Sequence, residues 1–249
     1  MKSHRIQRQI KRNIRGDLSV QKKGNHAANA DPLFHILAAL VAIILPVSLI
    51  ALAVGIVFRM PDFLAFEIDR SSILQELGLD TTPEEVANEI SDYLRNKKDK
   101  LDLTTVVARK DAPVFSFMDE VNLSKIRDLL NKTLYPSIAA FVLSIILFVL
   151  TRLADRRRYL KYALRTSIVI YVCSVCVVLL IALYSPFREI VFAWQPGIEF
   201  TAGELLPQFY GGLYPLLSGG MVCLISLIIY IALYSIFIRF TVEKETLFR

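Results

Sequence analysis

Four long apolar runs alternate with polar segments along this 249-residue chain. Each run is close to or above the length of about 20 residues with which a helix crosses the apolar core of a bilayer. A chain in lipid must satisfy its backbone hydrogen bonds within itself, so helices are the expected form of these runs. The pattern predicts an all-α membrane protein with four transmembrane helices, at residues 32–58, 134–151, 166–185 and 213–238.

The segment between the first two spans, residues 59–133, has a helical periodicity of its own and is called the cap. Thr82 and Glu85 form a capping-box pattern around Pro83, which favours the start of a helix. The apolar stripe that follows, with Tyr93 beside it, predicts a helix packed against the rest of the cap; its members are Val86, Ile90 and Leu94. Two shorter elements are expected, a helix at residues 72–77 that stops at Gly78 and an extended stretch at residues 104–108.

The last part of the cap predicts a second helix, which leads directly into the second span. Ser116 and Asp119 form another capping box. The apolar positions behind it recur at steps of three, four and four, which gives the helix one apolar face; they are Leu123, Ile126, Leu130 and Leu134. This helix therefore places its polar side chains at the boundary between water and lipid.

Charge predicts how the chain is oriented in the membrane. The total is +6, with eight Lys and Arg against two Asp in residues 1–31 and six against one in residues 151–166. The cap contains eleven Lys and Arg residues against fifteen Asp and Glu residues. Because Lys and Arg favour the cytoplasmic side, both termini are expected inside and the cap outside the cell membrane. The expected cytoplasmic segments are a disordered tail at 1–31, a loop at 152–165 and a tail at 239–249.

The second outward segment, residues 186–212, is rich in aromatic residues, Gly and Pro. Aromatic side chains at this density are typical of the membrane interface, and the Gly and Pro residues favour a bent or re-entrant path. We interpret the basic tail as setting topology and contacting anionic lipid rather than nucleic acid.

Thiol and metal chemistry are weakly supported by the sequence. Cys173, Cys176 and Cys223 lie inside predicted spans, and a pair spaced as Cys173 and Cys176 are also occurs in membrane thiol–quinone reductases. Those enzymes generally use a second pair in an outer loop, and residues 59–133 and 186–212 contain no cysteine. We interpret the three thiols as side chains packed between helices. The only histidines are His4, His26 and His35, so we expect no metal and no cofactor.

Carboxylates are the remaining candidates for proton transfer. We assign Glu120 and Glu204 as candidate catalytic residues, because each adjoins apolar or aromatic sequence where burial can raise a carboxyl pKa. We assign lipid or substrate binding to a polar and aromatic set on both outward segments: Asn122, Arg127, Glu189, Trp194 and Tyr210.

The order of these features resembles the Lit-like integral membrane proteins, which include lipoprotein intramolecular transacylases of Gram-positive bacteria. The similarity covers roughly residues 34–238, and the closest local match is Phe115-x-Phe-x-x-Glu120-x-Asn122-Leu-x-x-Ile126-x-x-Leu129. The resemblance implies transfer of an acyl chain within a diacylglyceryl lipoprotein, from the glycerol to the cysteine amino group. It also implies two histidines in the outer loops, one of them in an E-x-H motif.

This chain departs from that motif at both positions. The E-x-H position reads Glu120-Val121-Asn122, and residues 187–212 contain no histidine. An amide can orient a carbonyl but cannot accept a proton near neutral pH. Two hypotheses follow. The first is a non-catalytic protein that binds a lipid, a lipoprotein or another membrane protein; the second is an acyltransferase that uses carboxylates in place of histidines.

Overall fold

Four long helices form the body of the protein, and a smaller helical cap lies at one end of them. A computed structural model describes residues 31–107, 110–154, 157–184, 205 and 213–241. All four long helices are long and apolar enough to cross a membrane. Their bounds are α1 Asp31–Val57, α5 Phe117–Leu153, α6 Arg157–Leu183 and α7 Tyr214–Thr241.

The first helix, α1, is the centre of the bundle. It packs against α5, α6 and α7. In its most apolar window 56% of the residues are buried inside the protein, against 17%, 17% and 22% in α5, α6 and α7. The helices around it therefore present most of their apolar side chains outward, where a bilayer can solvate them.

Close helix contacts in the bundle occur where side chains are small. A Cβ atom placed on Gly55 would lie 3.1 Å from Cδ1 of Leu134, so α1 and α5 approach closely there. A Cβ on Gly219 would lie 2.7 Å from Cβ of Ala182, whereas one on Gly220 would have no atom within 4 Å. Of the two adjacent glycines, Gly219 is the one that α7 needs for its contact with α6.

The cap contains three helices and a hairpin before the start of α5. The elements are α2 Pro61–Ser71, α3 Ile73–Glu76, α4 Pro83–Leu94, β1 Thr104–Val107 and β2 Lys110–Pro113. The strands pair antiparallel, with Thr104 opposite Pro113 and Val107 opposite Lys110. Residues 104–107 are extended as the sequence predicts, while the partner strand was not anticipated.

Both predicted capping boxes are present. The Glu85 amide donates to Oγ1 of Thr82 at 3.3 Å, and the Thr82 amide donates to Oε2 of Glu85 at 3.2 Å. The Asp119 amide likewise donates to Oγ of Ser116 at 3.1 Å. The apolar stripe of α4 is buried, as are Leu123, Ile126 and Leu130 of α5, while Leu134 is partly buried. The buried stripe of α4 comprises Val86, Ile90, Tyr93 and Leu94.

The cap helix leads directly into the second span, as the sequence predicts: the two form a single helix of 37 residues, α5, which contains Pro136. One boundary differs from the prediction. The basic segment at 152–165, predicted as a loop, is mostly helical, because α5 ends at Leu153 and α6 begins at Arg157. Arg and Lys are good helix formers, so the basic residues 157–165 form the first turns of α6.

Candidate functional site

The first turns of α5 bury an amide on an apolar face. Asn122 is 0% exposed and Asp119 is 1% exposed, and they share this face with the buried Leu123 and Ile126. Glu120 lies on the surface instead. A residue on a helix is rotated about 200° from the residue two positions earlier, so these side chains point to nearly opposite sides.

The two ends of the Glu120-Val121-Asn122 segment therefore do not form one site. Convergence of Glu120, Asn122 and a carboxylate from residues 186–212 would favour catalysis by carboxylates. The structure separates Glu120 from Asn122. The other candidate residues, Glu189, Trp194, Glu204 and Tyr210, lie outside the described residues.

Arg127 joins α5 to the cap. Its guanidinium carbon lies 4.3 Å from the centroid of the Tyr93 ring on α4, a cation–π contact. Tyr93 is buried and Arg127 is partly buried. The arginine that we assigned to substrate binding is thus held against a cap helix.

Arg59, which follows the end of α1, is the centre of a second polar cluster. Its Nε donates to the Leu94 carbonyl at 2.9 Å, and its Nη2 donates to Oδ1 of Asn131 at 2.7 Å. Its own carbonyl accepts hydrogen bonds from Oγ of Ser91 and Nη2 of Arg95, both at 2.7 Å. One residue therefore connects α1, α4 and α5.

The Arg59 cation is held mainly by neutral groups. Burial lowers the pKa of its guanidinium, and the nearby Arg95 cation lowers this pKa further, while Tyr135 has the opposite effect. Arginine nevertheless remains charged in proteins. The junction of the cap with the bundle thus contains a buried positive charge at only 7% exposure.

A buried carboxylate lies in the same part of the molecule, on α2. Glu67 is 1% exposed. Its Oε2 accepts a hydrogen bond from Nη2 of Arg70 at 2.6 Å. Its Oε1 is buried and has no hydrogen-bond partner within the described part of the chain.

The buried face of α2 contacts the beginning of α7. The ring centroids of Phe63 and Tyr214 lie 5.9 Å apart, and Phe58 meets the same tyrosine edge-on at 5.8 Å. Tyr214 is 2% exposed. Since Glu67 follows Phe63 by four residues, its carboxylate is on the same side of α2 as this aromatic contact.

Sequence reasoning missed Arg59, Glu67 and Tyr214. A signal for Glu67 was available, because Phe63, Leu64, Glu67 and Ile68 follow the spacing of one helical face and only one of them is charged. Arg59 instead resembles an ordinary interfacial cation directly after a span. Four of its five hydrogen bonds join residues 32 to 72 positions away, and the fifth is to the Gly55 carbonyl of α1; periodicity does not encode the distant partners.

The cysteines correct one expectation. Cys173 and Cys176 are exposed on the outer surface of the bundle, and Cys223 is partly buried. The first two do not pack between helices as we expected. A thiol is only weakly polar, so a membrane-spanning helix can turn it toward lipid at little cost. Among the described residues, no three His, Cys, Asp or Glu side chains are grouped to bind a metal.

These features define a class of protein: a multi-pass α-helical membrane protein with a polar, partly charged junction beneath a small helical cap. The family described as lipoprotein intramolecular transacylase Lit matches residues 39–193, more than half of the chain. The chain therefore belongs to the Lit family. None of the curated protein sequences matches it.

Solved structures of Lit from Bacillus cereus, a membrane integral lipoprotein intramolecular transacylase, have a similar fold. A form with a histidine-to-arginine mutation is 14% identical, with a TM-score of 0.61, over 88% of this chain and 96% of that one. A form with a histidine-to-alanine mutation is 15% identical, with a TM-score of 0.63, over 86% and 97%. At this identity the similarity concerns the fold.

Proposed function

We propose that this chain is a non-catalytic member of the Lit family that binds an acylated amphiphile beneath its cap. The ligand class is a membrane lipid or the diacylglyceryl anchor of a lipoprotein. The proposal rests on the identity and burial of Asn122. This residue occupies the motif position where the Lit-like transacylases have histidine, and it is completely buried.

The chemistry of the amide argues against turnover. Transfer of an acyl chain to an amine needs a base that removes a proton from the amine and an acid that protonates the leaving alcohol. An amide has two N–H donors and a carbonyl acceptor but is neither a useful acid nor a useful base near neutral pH. It is suited to holding an ester or amide carbonyl in place, which is a binding role.

The orientation proposed for this function places the cap on the outer face of the cell membrane, with both termini in the cytoplasm. It is supported by the excess of Lys and Arg in residues 1–31 and 151–166 and by the excess of acidic residues in the cap. Diacylglyceryl groups are then within reach of the cap end of the bundle.

Binding is tested with a photo-crosslinkable diacylglyceryl lipopeptide and the purified full-length protein in phosphatidylcholine nanodiscs. We expect saturable labelling that is weakened in Asn122→Leu, which has a similar volume but no amide. Asn88→Leu, on the exposed side of α4, is the matched control and should label as the wild type does. Equal labelling of all three proteins would contradict a role for Asn122.

Turnover is tested by expressing the protein with a reporter lipoprotein in a host that lacks a transacylase. Mass spectrometry should show no N-acylated lyso-lipoprotein. Robust conversion that is lost in Glu120→Gln or Glu204→Gln would overturn the proposal and establish the alternative, an acyltransferase that uses carboxylates.

A further inference from the structure

The proposed function does not explain why the carboxylate of Glu67 is buried. Its Oε1 lies inside the protein without a hydrogen-bond partner in the described part of the chain. Buried polar atoms in folded proteins are almost always hydrogen-bonded, because an unpaired one loses its contacts with water and gains nothing in return. An oxygen in this position is therefore suited to accept a donor from a bound molecule.

The ion pair with Arg70 restricts what that donor can be. Arg70 holds Oε2 alone, and its side chain is 32% exposed while that of Glu67 is 1% exposed. Water screens the outer partner, so the inner oxygen retains much of its negative character. An N–H group on a cation makes the strongest hydrogen bond to such an oxygen.

The position of α2 indicates where the donor comes from. Phe66 is 57% exposed on the outer side of this helix, and an aromatic side chain there is typical of the level of lipid head groups. The Phe63 side, about 60° away around the helix, contacts Tyr214, the first residue of the fourth long helix. Glu67 is thus on the side of α2 that meets the end of a membrane span, where we expect the polar ends of lipids.

We propose that Glu67 is the receptor for the primary amine of the bound amphiphile. This inference rests on the proposed function and adds the chemical group that is recognised. Among the molecules that present such an amine at a membrane surface, two are compared: a diacylglyceryl lipopeptide with a free N-terminal cysteine, and phosphatidylethanolamine.

The experiment measures binding of a fluorescent diacylglyceryl lipopeptide to full-length protein in phosphatidylcholine nanodiscs, which offer no competing amine. The free-amine lipopeptide is compared with its N-acetylated form. We expect the wild type to prefer the free amine by about 10-fold or more, the effect of one hydrogen bond to a charged group. Glu67→Gln should lose this preference and still bind the acetylated form as the wild type does. Glu76→Gln, an exposed glutamate on α3, should keep it.

A second measurement uses the wild-type protein alone, so it does not depend on whether Glu67→Gln folds. An apolar carbodiimide reacts with buried carboxylates, and peptide mapping by mass spectrometry locates the product. The free-amine lipopeptide should protect Glu67 from this reaction, and the acetylated form should not.

The outcomes separate the two proposals. Capture of neither lipopeptide, with protection of Glu67 by phosphatidylethanolamine, would refute lipoprotein binding and keep the amine site for a phospholipid. Capture of both lipopeptides with equal affinity, and no protection of Glu67 by any amine, would overturn the amine site and leave the proposed function standing.

Discussion

The cap and the membrane-spanning bundle bury polar groups of different kinds. In the described part of the spans, the buried polar side chains are hydroxyls. Ser167 pairs with Tyr230 at 2.8 Å, and Tyr171 pairs with Ser226 at 3.0 Å. In the cap and at its junction with the spans, buried polar groups include charged ones, Arg59 and Glu67 among them.

The difference follows from what each environment can solvate. A hydroxyl is neutral and can bond to the carbonyl three or four residues earlier in its own helix, so lipid around the helix costs it little. A charge needs several fixed partners or nearby water, and the junction offers both. The bundle therefore combines apolar packing with neutral hydroxyl pairs, while the cap combines an apolar core with placed charges.

The largest effect is expected when a new charge is buried in the cap. Ile90 is 0% exposed in α4. Ile90→Asp should destabilise the cap by about 4 kcal/mol or more, because the carboxylate has no partner there. Limited proteolysis of the cap in detergent measures this. Asn88→Asp, on the exposed side of the same helix, is the control; similar protease sensitivity of the two variants would show that the Ile90 side of α4 is not buried.

Removing the charge at the junction should have the next largest effect. Arg59→Met leaves the Leu94 carbonyl without its side-chain donor and leaves Oδ1 of Asn131 only the longer bond from Nδ2 of Asn96 at 3.4 Å, which we expect to cost about 3 kcal/mol. Thermal unfolding in nanodiscs provides the measurement. Arg95→Met removes one hydrogen bond from an exposed side chain and should cost less; an equal loss in both variants would contradict the central position of Arg59.

Within the spans, a change of shape alone should matter. Gly219→Ala would place a Cβ atom 2.7 Å from that of Ala182, and such overpacking costs about 1–3 kcal/mol. Gly220→Ala adds the same atom where there is space and should be neutral or stabilising. Thermal unfolding of the two variants compares them directly. Equal stability would mean that α6 and α7 do not meet at Gly219.

The smallest effect concerns the pH dependence of the cap. Hydrogen bonds from the Thr82 backbone and the Thr81 hydroxyl lower the pKa of Glu85 in the folded protein. Because this pKa is lowered, Glu85 contributes its full share to the stability of α4 above the ordinary glutamate pKa. That stability is lost as the pH falls through the pKa of Glu85 in the folded protein. Hydrogen exchange of residues 83–94, corrected for its intrinsic pH dependence, should show the first turn of α4 opening in acid. Glu85→Gln should flatten that dependence, and an unchanged profile would contradict the assignment.

The sequence predicts the local features of this molecule well, but it does not predict the contacts between distant parts of the chain. The capping residues Thr82 and Ser116 and the stripe through Ile90 specify their helices within a few positions, so pattern alone finds them. Asn122 was identified from its motif, but its complete burial depends on which side of α5 meets the cap. The connection from Arg59 to Asn131 closes over 72 positions, and no local pattern carries such information.

Because α5 is one continuous helix, the position of its cap end depends on how its membrane-spanning part is tilted. A helix of 37 residues is about 55 Å long, whereas the hydrocarbon core is about 30 Å thick. Asn122 precedes Leu134 by twelve residues, about 18 Å along the axis, so each 10° of tilt in the span displaces it by about 3 Å. A helix that is longer than the hydrocarbon core can adjust by tilting. A change in membrane thickness that tilts the span of α5 therefore shifts the buried amide sideways, together with the cap helix α4 that packs on α5.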